Sequence, residues 1–439
     1  MHLPSLSLRA LILPLFTAAL HAAVIGTNPP ALPLDAERIA ALPAAAQPAW
    51  RDYLDRSVRQ RAADQALIAA ELKTLALTHP AAAQVSPKAA RNAHTIPLDR
   101  SPSWYGSAEA RLIADHVISF QTPAGGWSKN TDYADHTRQP GESFAHDSGS
   151  LYLRPGDNDQ PHDAHWNYIG TFDNDATTTE LRFLAKVAAR DPAPASPSRA
   201  AFMRGLDYIF SAQFPNGGWP QVWPLDGGYH DAITYNDDAL TDILVFLKEV
   251  ADGRDDYAFV PAELRARATA AAARGLACIL ATQIVTTGGR RTVWCQQHDL
   301  LTLAPASARN YEMPAQAAGE SAAIMMFLMT LPNPSHAVVQ SVHAAAAWFE
   351  KTALNGFIFK PTPDGTGRHL LRSPTAGPLW PRYSEIGTDR PLFGDRDKTI
   401  HDNVEEISKE RRNGYAWFGD NPKRALAHYA TWAKTHPAL

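Results

Sequence analysis

From Ser107 onward, apolar residues recur at the three- and four-residue spacing that gathers them on one face of a helix. In "AEARLIADHVISFQ" the face is Leu112, Ile113, Val117 and Phe120, and Ser107 stands where a helix N-cap belongs. The same period returns over 176–190, 197–213, 237–252, 261–283, 314–331, 334–353 and 421–435. Upstream, "PAWRDYLDRSVRQRAADQALIAAELKTL" is amphipathic within an Ala- and Pro-rich stretch. It predicts one or two N-terminal helices, joined to the rest by a linker around 80–100. Strand-like alternation is confined to pieces such as "GFIFKP". The pattern divides the chain into 1–23, an N-terminal helical extension and linker over 24–100, and a mostly α-helical region over 101–439.

Superposed on this period is a repeat. "QTPAGGW" at 121–127 returns as "QFPNGGW" at 213–219, with a weaker echo in "QIVTTGGRRTVW" at 283–294. Each follows a helical stretch, where Pro and Gly stop the helix and turn the chain. Helices that end in a repeated corner predict hairpins set around an axis, an α/α barrel (toroid-like, of (α/α)3 type) with short irregular β pieces. Trp127 and Trp219 either fill core gaps under the corners or belong to a repeated piece of chemistry. Two residues past Trp127 stands Lys129, whereas Trp219 is followed by the uncharged Gln221. Only the first corner therefore carries a charge to a cleft.

A net charge of −4 over 439 residues gives no global reason to expect nucleic acid or an anionic membrane as partner. At the N-terminus, His2 and Arg9 precede a short apolar run and the small residues Ala22 and Ala23. That layout predicts a signal peptide over 1–23, hence a secreted or periplasmic protein, and the run is too short for a membrane anchor. The two cysteines, Cys278 and Cys295, would meet an oxidising compartment. Either they pair, or Cys278 is one more small apolar residue in its helix.

The chemistry begins with two acidic segments, "TFDNDATTTELRFL" at 171–184 and "TYNDDALTDILVFL" at 234–247. One Asp or Asn at a helix start is an ordinary cap. Three in a row leave carboxylates and amide oxygens that repel one another unless a cation sits among them. Hard oxygen donors of this kind suit Ca²⁺. Asp173, Asp175, Asp237 and Asp238 also qualify as paired acids of a glycoside hydrolase. A late segment, 381–419, is dense in Arg382, Arg390, Arg396, Arg411 and Arg412, the residue type suited to bidentate carboxylate recognition. Ion pairing within the segment is expected of Arg411 and Arg412 more than of Arg382 and Arg396.

Taken together, "GGWSKNTDY", "TFDNDATTTELRFLAKV", "FPNGGWPQVWPLDGGYHDAITYNDDAL" and "RPLFGDRD…ISKERRNGYAWFG" resemble polysaccharide lyase family 10, the α-helical pectate lyases, over roughly 105–420. The resemblance implies calcium-dependent β-elimination of polygalacturonate or oligogalacturonate by a chain acting alone. It implies Arg309, in "SARNYEMPAQAAGES", as the base that takes the C5 proton. It places Asp173, Asn174 and Asp237 at the calcium. Lys129, Arg382 and Arg396 would hold substrate carboxylates, and Thr171 and Tyr235 would line the cleft. The chain departs from the family in "AAGES", where a Ser-Gly-Ser-Glu-Ser stretch is usual, and in "IMMFLM", where Met326 replaces a usual Arg. Outside this resemblance, Asp clusters on a toroid also fit a terpene cyclase or prenyltransferase, and the basic residues fit a non-catalytic binder of acidic polysaccharide.

Overall fold

The computed structural model describes residues 23–78, 96–145, 154–162, 170–191, 193 and 195–438. The expected signal segment lies outside these residues, as does most of the expected linker. The helical period is realised almost residue for residue. After a short α1 (Ala36–Ala40) and a long α2 (Gln47–Thr78) come α3 (Ala108–Ser119), α4 (Thr178–Arg190) and α5 (Pro197–Ala212). They are followed by α6 (Ala239–Asp252), α7 (Ala262–Thr282), α8 (Ala318–Met329) and α9 (His336–Thr352). A short α10 (Lys409–Gly414) and α11 (Asn421–Trp432) complete the set. α6 shows why these segments are helical. Leu240, Ile243, Leu244, Leu247 and Val250 recur at helical spacing and are all buried, and Gly253 stops the helix in the left-handed conformation (φ 59°).

Hairpins form as α4 packs on α5, α6 on α7 and α8 on α9, with α11 laid against α8. The segments that open α4, α6 and α8 meet one another, giving an α/α toroid whose ring is open rather than a closed barrel.

What turns the chain from one hairpin to the next is a set of side-chain hydrogen bonds. Gln121 Nε2 donates to Gly125 O (2.7 Å) and to Ala201 O of α5 (2.9 Å). Gln213 does the same to Gly217 O (3.0 Å) and Ala271 O of α7 (2.9 Å). Gln283 reaches Thr292 O (2.8 Å) and Ser341 O of α9 (3.0 Å). Each glutamine therefore closes its own corner and ties it to a later helix. The indole N–H of Trp127, Trp219 and Trp294 donates back to Val117 O (2.7 Å), Ile209 O (2.8 Å) and Ile279 O (2.7 Å). Gly217 is required at its corner: its φ is 96°, and a Cβ there would lie 2.2 Å from Arg274 O. Trp127 and Trp219 are wholly buried, so the core-filling reading of both tryptophans holds.

Two features escape the sequence pattern. Gly26–Thr27, Thr399–His401, Pro391–Gly394, Tyr383–Ser384 and Gln316–Ala317 form a five-stranded antiparallel sheet in that order, from strands too short to show alternation. Extension residues also join the main core. On α2, Trp50 and Tyr53 pack on Phe214, and Tyr53 Oη donates to Ala212 O (3.0 Å). The pairing considered for the cysteines is not made: Cys278 and Cys295 are both free and buried.

Removing one corner plug should open a cavity that the stitched corner cannot close. Trp219→Ala should lower unfolding free energy by about 3–5 kcal/mol in a denaturant titration. Lys129→Ala, which changes a side chain 35 % exposed at the cleft, should leave it within error.

Candidate active site

Each corner carries a polar residue two positions past its tryptophan: Lys129, Gln221, Gln296 and, after Trp380, Arg382. Trp380 makes the same indole bond, to Phe349 O (2.8 Å) of α9. This copy is hidden in the sequence because the hairpin Phe357–Pro361/Arg368–Arg372 interrupts the spacing. The corner backbones then pin the segments that open the inner helices. Trp127 O, Trp219 O and Trp294 O accept from Thr171 N (2.8 Å), Thr234 N (3.1 Å) and Ala317 N (2.8 Å). The carbonyls of Gln221, Gln296 and Arg382 accept from Phe172 N (2.9 Å), Tyr235 N (2.9 Å) and Ala318 N (3.0 Å).

On that scaffold sit the acidic turns, Asp173–Asp175 and Asn236–Asp238. They superimpose in conformation: Asn174 has φ 52°, ψ 46° and Asp237 has φ 48°, ψ 39°. Asp175 and Asp238 follow at φ 58° and 60°. Four left-handed non-glycine residues in two short turns each cost about 1 kcal/mol or more, a burden found where function fixes the backbone. The expected capping role fails. The N-cap positions of α4 and α6 are Thr177 and Asp238, and neither makes a side-chain cap bond.

Asp173 and Asp237 are hydrogen-bonded to each other. Burial, and then the facing Asp173, push the Asp237 carboxyl up to about 7. Burial works against ionisation of Asp173 too, yet the Lys129 ammonium, in direct contact with its Oδ2, holds it below the usual carboxylate range. Asp173 Oδ1 is buried with no hydrogen-bond partner. Carboxyls in mutual contact leave no room for the ~5 Å or more that glycoside hydrolysis needs between its two acids.

Arg309 lies across the cleft on a tight turn, with Glu312 N donating to Arg309 O (2.8 Å). Its Nε and Nη2 form a fork on Glu312 (2.8 and 2.5 Å), which leaves Nη1 outside the fork. Burial opposes the charge on Glu312, but Arg309 and the Tyr415 hydroxyl draw the carboxyl down to about 2. Burial likewise opposes the charge on Arg309, and Glu312 overrides it, holding the guanidinium well above its ordinary range. Arg382 donates to Glu320 Oε1 (2.6 Å) and Asn236 Oδ1 (3.3 Å). Tyr415 stands between the two arginines, 5.9 Å from Arg309 Cζ and 4.9 Å from Arg382 Cζ by ring centroid, and its hydroxyl donates to Glu312 (2.6 Å).

Not every expected residue reaches this cleft. Tyr235 is buried, its hydroxyl bonded to Thr282 Oγ1 (2.6 Å) and its ring edge-on to His298. Thr171 is buried too, donating to Gln221 O (2.7 Å) and accepting from Asp173 N (3.1 Å). Both hold the acidic turns from beneath rather than lining the cleft. The expected contrast among the arginines is also absent, since Arg382, Arg396, Arg411 and Arg412 all pair with carboxylates. Arg396, on Glu410, is distinguished only by its exposure of 47 %. Asn174 is half-buried at the place on its turn that Asp237 holds on the other. Sequence reasoning missed Glu312 and Tyr415. The signal for Glu312 was its i+3 spacing from Arg309 just before a Met-Pro.

Residues 121–426 match the family model described as pectic acid lyase. The chain belongs to the pectic acid lyase family. A family 10 polysaccharide lyase from Cellvibrio cellulosa is 29 % identical, with a TM-score of 0.62, covering 78 % of this chain and 97 % of that one. A mutant of the Cellvibrio enzyme in complex with trigalacturonic acid matches at 28 % identity and the same TM-score, covering 78 % of this chain and all of that one. Among curated proteins no match was found. A polysaccharide lyase breaks its chain by elimination rather than by adding water, which removes the hydrolase and cyclase readings. Its cleft opens beyond Asp237, Glu320 and Arg382 into a groove of about 1070 Å³ over α8, and Met326 lines that groove rather than touching the Arg309 turn. No helix among the described residues is long and apolar enough to cross a membrane.

The placement of Tyr235 is directly testable. Tyr235→Phe loses one buried hydrogen bond and should cost about 1 kcal/mol of stability. KM should stay unchanged in initial-rate assays, whereas a cleft-lining tyrosine would raise it.

Proposed function

We propose that this lyase is a secreted, calcium-dependent enzyme acting on α-1,4-polygalacturonate by β-elimination, with Arg309 as base. The observation that carries the reading is the convergence of Arg309 and Arg382 on Tyr415, with Arg382 neighbouring the Asp237 carboxyl, which in turn faces Asp173. The trigalacturonic acid bound by the Cellvibrio mutant supports the substrate class. The leader-like N-terminus supports export.

The C5 proton of galacturonate is acidic only because it lies α to the C6 carboxylate. Cations held against that carboxylate favour the enolate-like charge that develops as the proton leaves. Arg382 and Lys129 are the side chains that supply such charge, with Arg396 at the exposed edge. In its neutral form Arg309 Nη1 accepts the C5 proton, the C–H electron pair forms the C4–C5 double bond, and the C4–O bond breaks, the leaving oxygen taking a proton from solvent. Glu312 and Tyr415 hold the guanidinium plane still meanwhile.

The donor set fits Ca²⁺: hard oxygens only, with Asp173 Oδ1 buried and without a hydrogen-bond partner and the Asp237 carboxyl beside that of Asp173. Among the described residues no three acidic or imidazole side chains converge as a ready-made cage, so substrate and water oxygens would complete the coordination. Asp173 and Asp237 would hold the ion with Asn174 beside them, and when bound it would supply positive charge to the C6 carboxylate. In the structure Lys129 occupies Asp173 instead. Lys129 would leave Asp173 for a substrate carboxylate as the ion binds.

Three substitutions and a pH profile test these assignments. Lys129→Met removes the competing ammonium, so calcium should bind more tightly by calorimetry while KM rises; weaker calcium binding would contradict the exchange. Arg309→Ala should lower kcat by about a thousandfold, near the upper end of general-base effects, in an ultraviolet assay of the unsaturated product. Wild-type activity should climb with pH well past neutrality, because a base works only deprotonated and Glu312 raises the Arg309 pKa. Glu312→Gln removes that influence, lowers the Arg309 pKa, and so should move the rising limb of the kcat profile to lower pH. An unmoved limb would mean that Arg309 is not the titrating base.

A further inference from the structure

Residues before the family-matched stretch reach the Arg309 turn. Gly26–Thr27 pairs with Thr399–Ile400 at the edge of the sheet, with Ile25 N on Ile400 O and Asn28 N on Lys398 O (both 2.8 Å). That register drives the next side chain, Asn28, into the interior, where it is 1 % exposed. Its amide nitrogen donates to Arg309 O (2.9 Å), Asn310 O (3.1 Å) and Glu312 O (3.1 Å). One side chain thus gathers three of the four carbonyls of the turn whose two ends form the Arg309–Glu312 fork. Within the turn itself, Glu312 N bonds Arg309 O, Ala308 N bonds Glu312 O, and Arg309 N donates to Glu312 Oε2 (3.0 Å), which leaves the carbonyl of Asn310 without a partner inside it.

The same residue links the turn to the Arg396 loop. Asn158 Nδ2 donates to Asn28 O (3.1 Å) and Pro29 O (3.2 Å), while its backbone N donates to Asn310 Oδ1 (2.8 Å). Asn310 Nδ2 in turn donates to Arg396 O (2.7 Å). Asn310 Nδ2 also donates to Asp157 Oδ1 (2.9 Å). The amides that make the link from Asn28 through Asn158 and Asn310 to the Arg396 carbonyl carry no charge themselves, so their effect on the turn is geometric.

We infer that Asn28 is a positioning residue for catalysis: it fixes the Arg309–Glu312 turn so that Nη1 meets the C5 proton at bonding distance. The inference rests on Arg309 being the base. It makes the N-terminal strand, outside the matched 121–426, a part of the catalytic machinery of this chain.

The test uses the full chain on polygalacturonate, with kcat and KM from the ultraviolet signal of the unsaturated product. Asn28→Asp keeps the volume but replaces the donor with an acceptor that repels three carbonyls. Asn28→Ala removes the donor without adding charge, and serves if the aspartate variant does not fold by circular dichroism. Either should lower kcat by about ten- to a hundredfold, the penalty of a ~1 Å misplacement, with KM little changed. In Asn28→Ala the pH of the rising limb should not move, because no charge is added and Glu312 still faces the guanidinium. Added to Arg309→Ala, the Asn28 change should cause no further loss in kcat. Wild-type kcat in a folded Asn28 variant, or a full additional loss on the Arg309→Ala background, overturns the inference. Near-normal kcat in Arg309→Ala alone overturns the base assignment instead, so the two failures are told apart.

Discussion

The glutamine–tryptophan corner is the constraint on which the molecule depends. A helix that ends leaves carbonyls without partners, and a turn between packed helices hides them from water. Here a buried glutamine amide and an indole N–H satisfy several at once, at Gln121/Trp127, Gln213/Trp219 and Gln283/Trp294. Because each glutamine also bonds a later helix, the corners set the spacing between hairpins as well as their shape. The tryptophan carbonyls then hold the segments in front of α4, α6 and α8. The left-handed turns carrying Asp173 and Asp237 are therefore imposed by rigid packing around them.

The charges in the cleft follow a common design. Every cationic side chain placed there rests on a carboxylate of this chain: Lys129 on Asp173, Arg309 on Glu312, Arg382 on Glu320, Arg396 on Glu410. A buried guanidinium without a partner is expensive, and a partner removes that cost at the expense of availability. For Arg382 both bonds, to Glu320 and Asn236, come from Nη2, which leaves the face of the guanidinium over Tyr415. For Lys129 the partner is itself a proposed ion ligand, so a divalent cation would displace the ammonium by competing for one carboxylate.

The sequence made the helices legible because a period of three to four survives over twelve or more residues. Two- to four-residue strands offer no such run, so the sheet around Tyr383 and Leu392 was not readable. The corner repeat was readable while its spacing stayed regular, and its Trp380 copy was lost behind an inserted hairpin. Among site residues, motif position picked out Lys129 and Asp173, which are in contact, Asp237 beside Arg382, and Arg309 and Arg382 on either side of Tyr415. It erred for Tyr235 and Thr171, because closeness in sequence to Asp237 and Asp173 does not say which way a side chain points. Tyr235 lies next to Asn236 and points down into Thr282, while Asn236 points up toward Arg382.

Arg309 sets the sharpest physical problem, because the partner that orients it also keeps it protonated. Orientation and basicity pull against each other in any fork of this kind: a weaker carboxylate partner would ease proton loss and loosen the plane. The structure resolves the conflict toward orientation. Glu312 is pinned by Tyr415 and its own backbone N–H closes the turn, so the fork has little freedom to open. On the proposed reading, the rate near neutrality is then limited by the scarcity of neutral guanidine and sustained by geometry, with a few molecules in the right protonation state all in the right place. Tight placement can offset an unfavourable protonation equilibrium because aligned reactants gain several orders of magnitude over loosely held ones. An arginine base is workable only where its backbone is fixed as firmly as its charge, and here the carbonyls of its turn are gathered on a single buried amide.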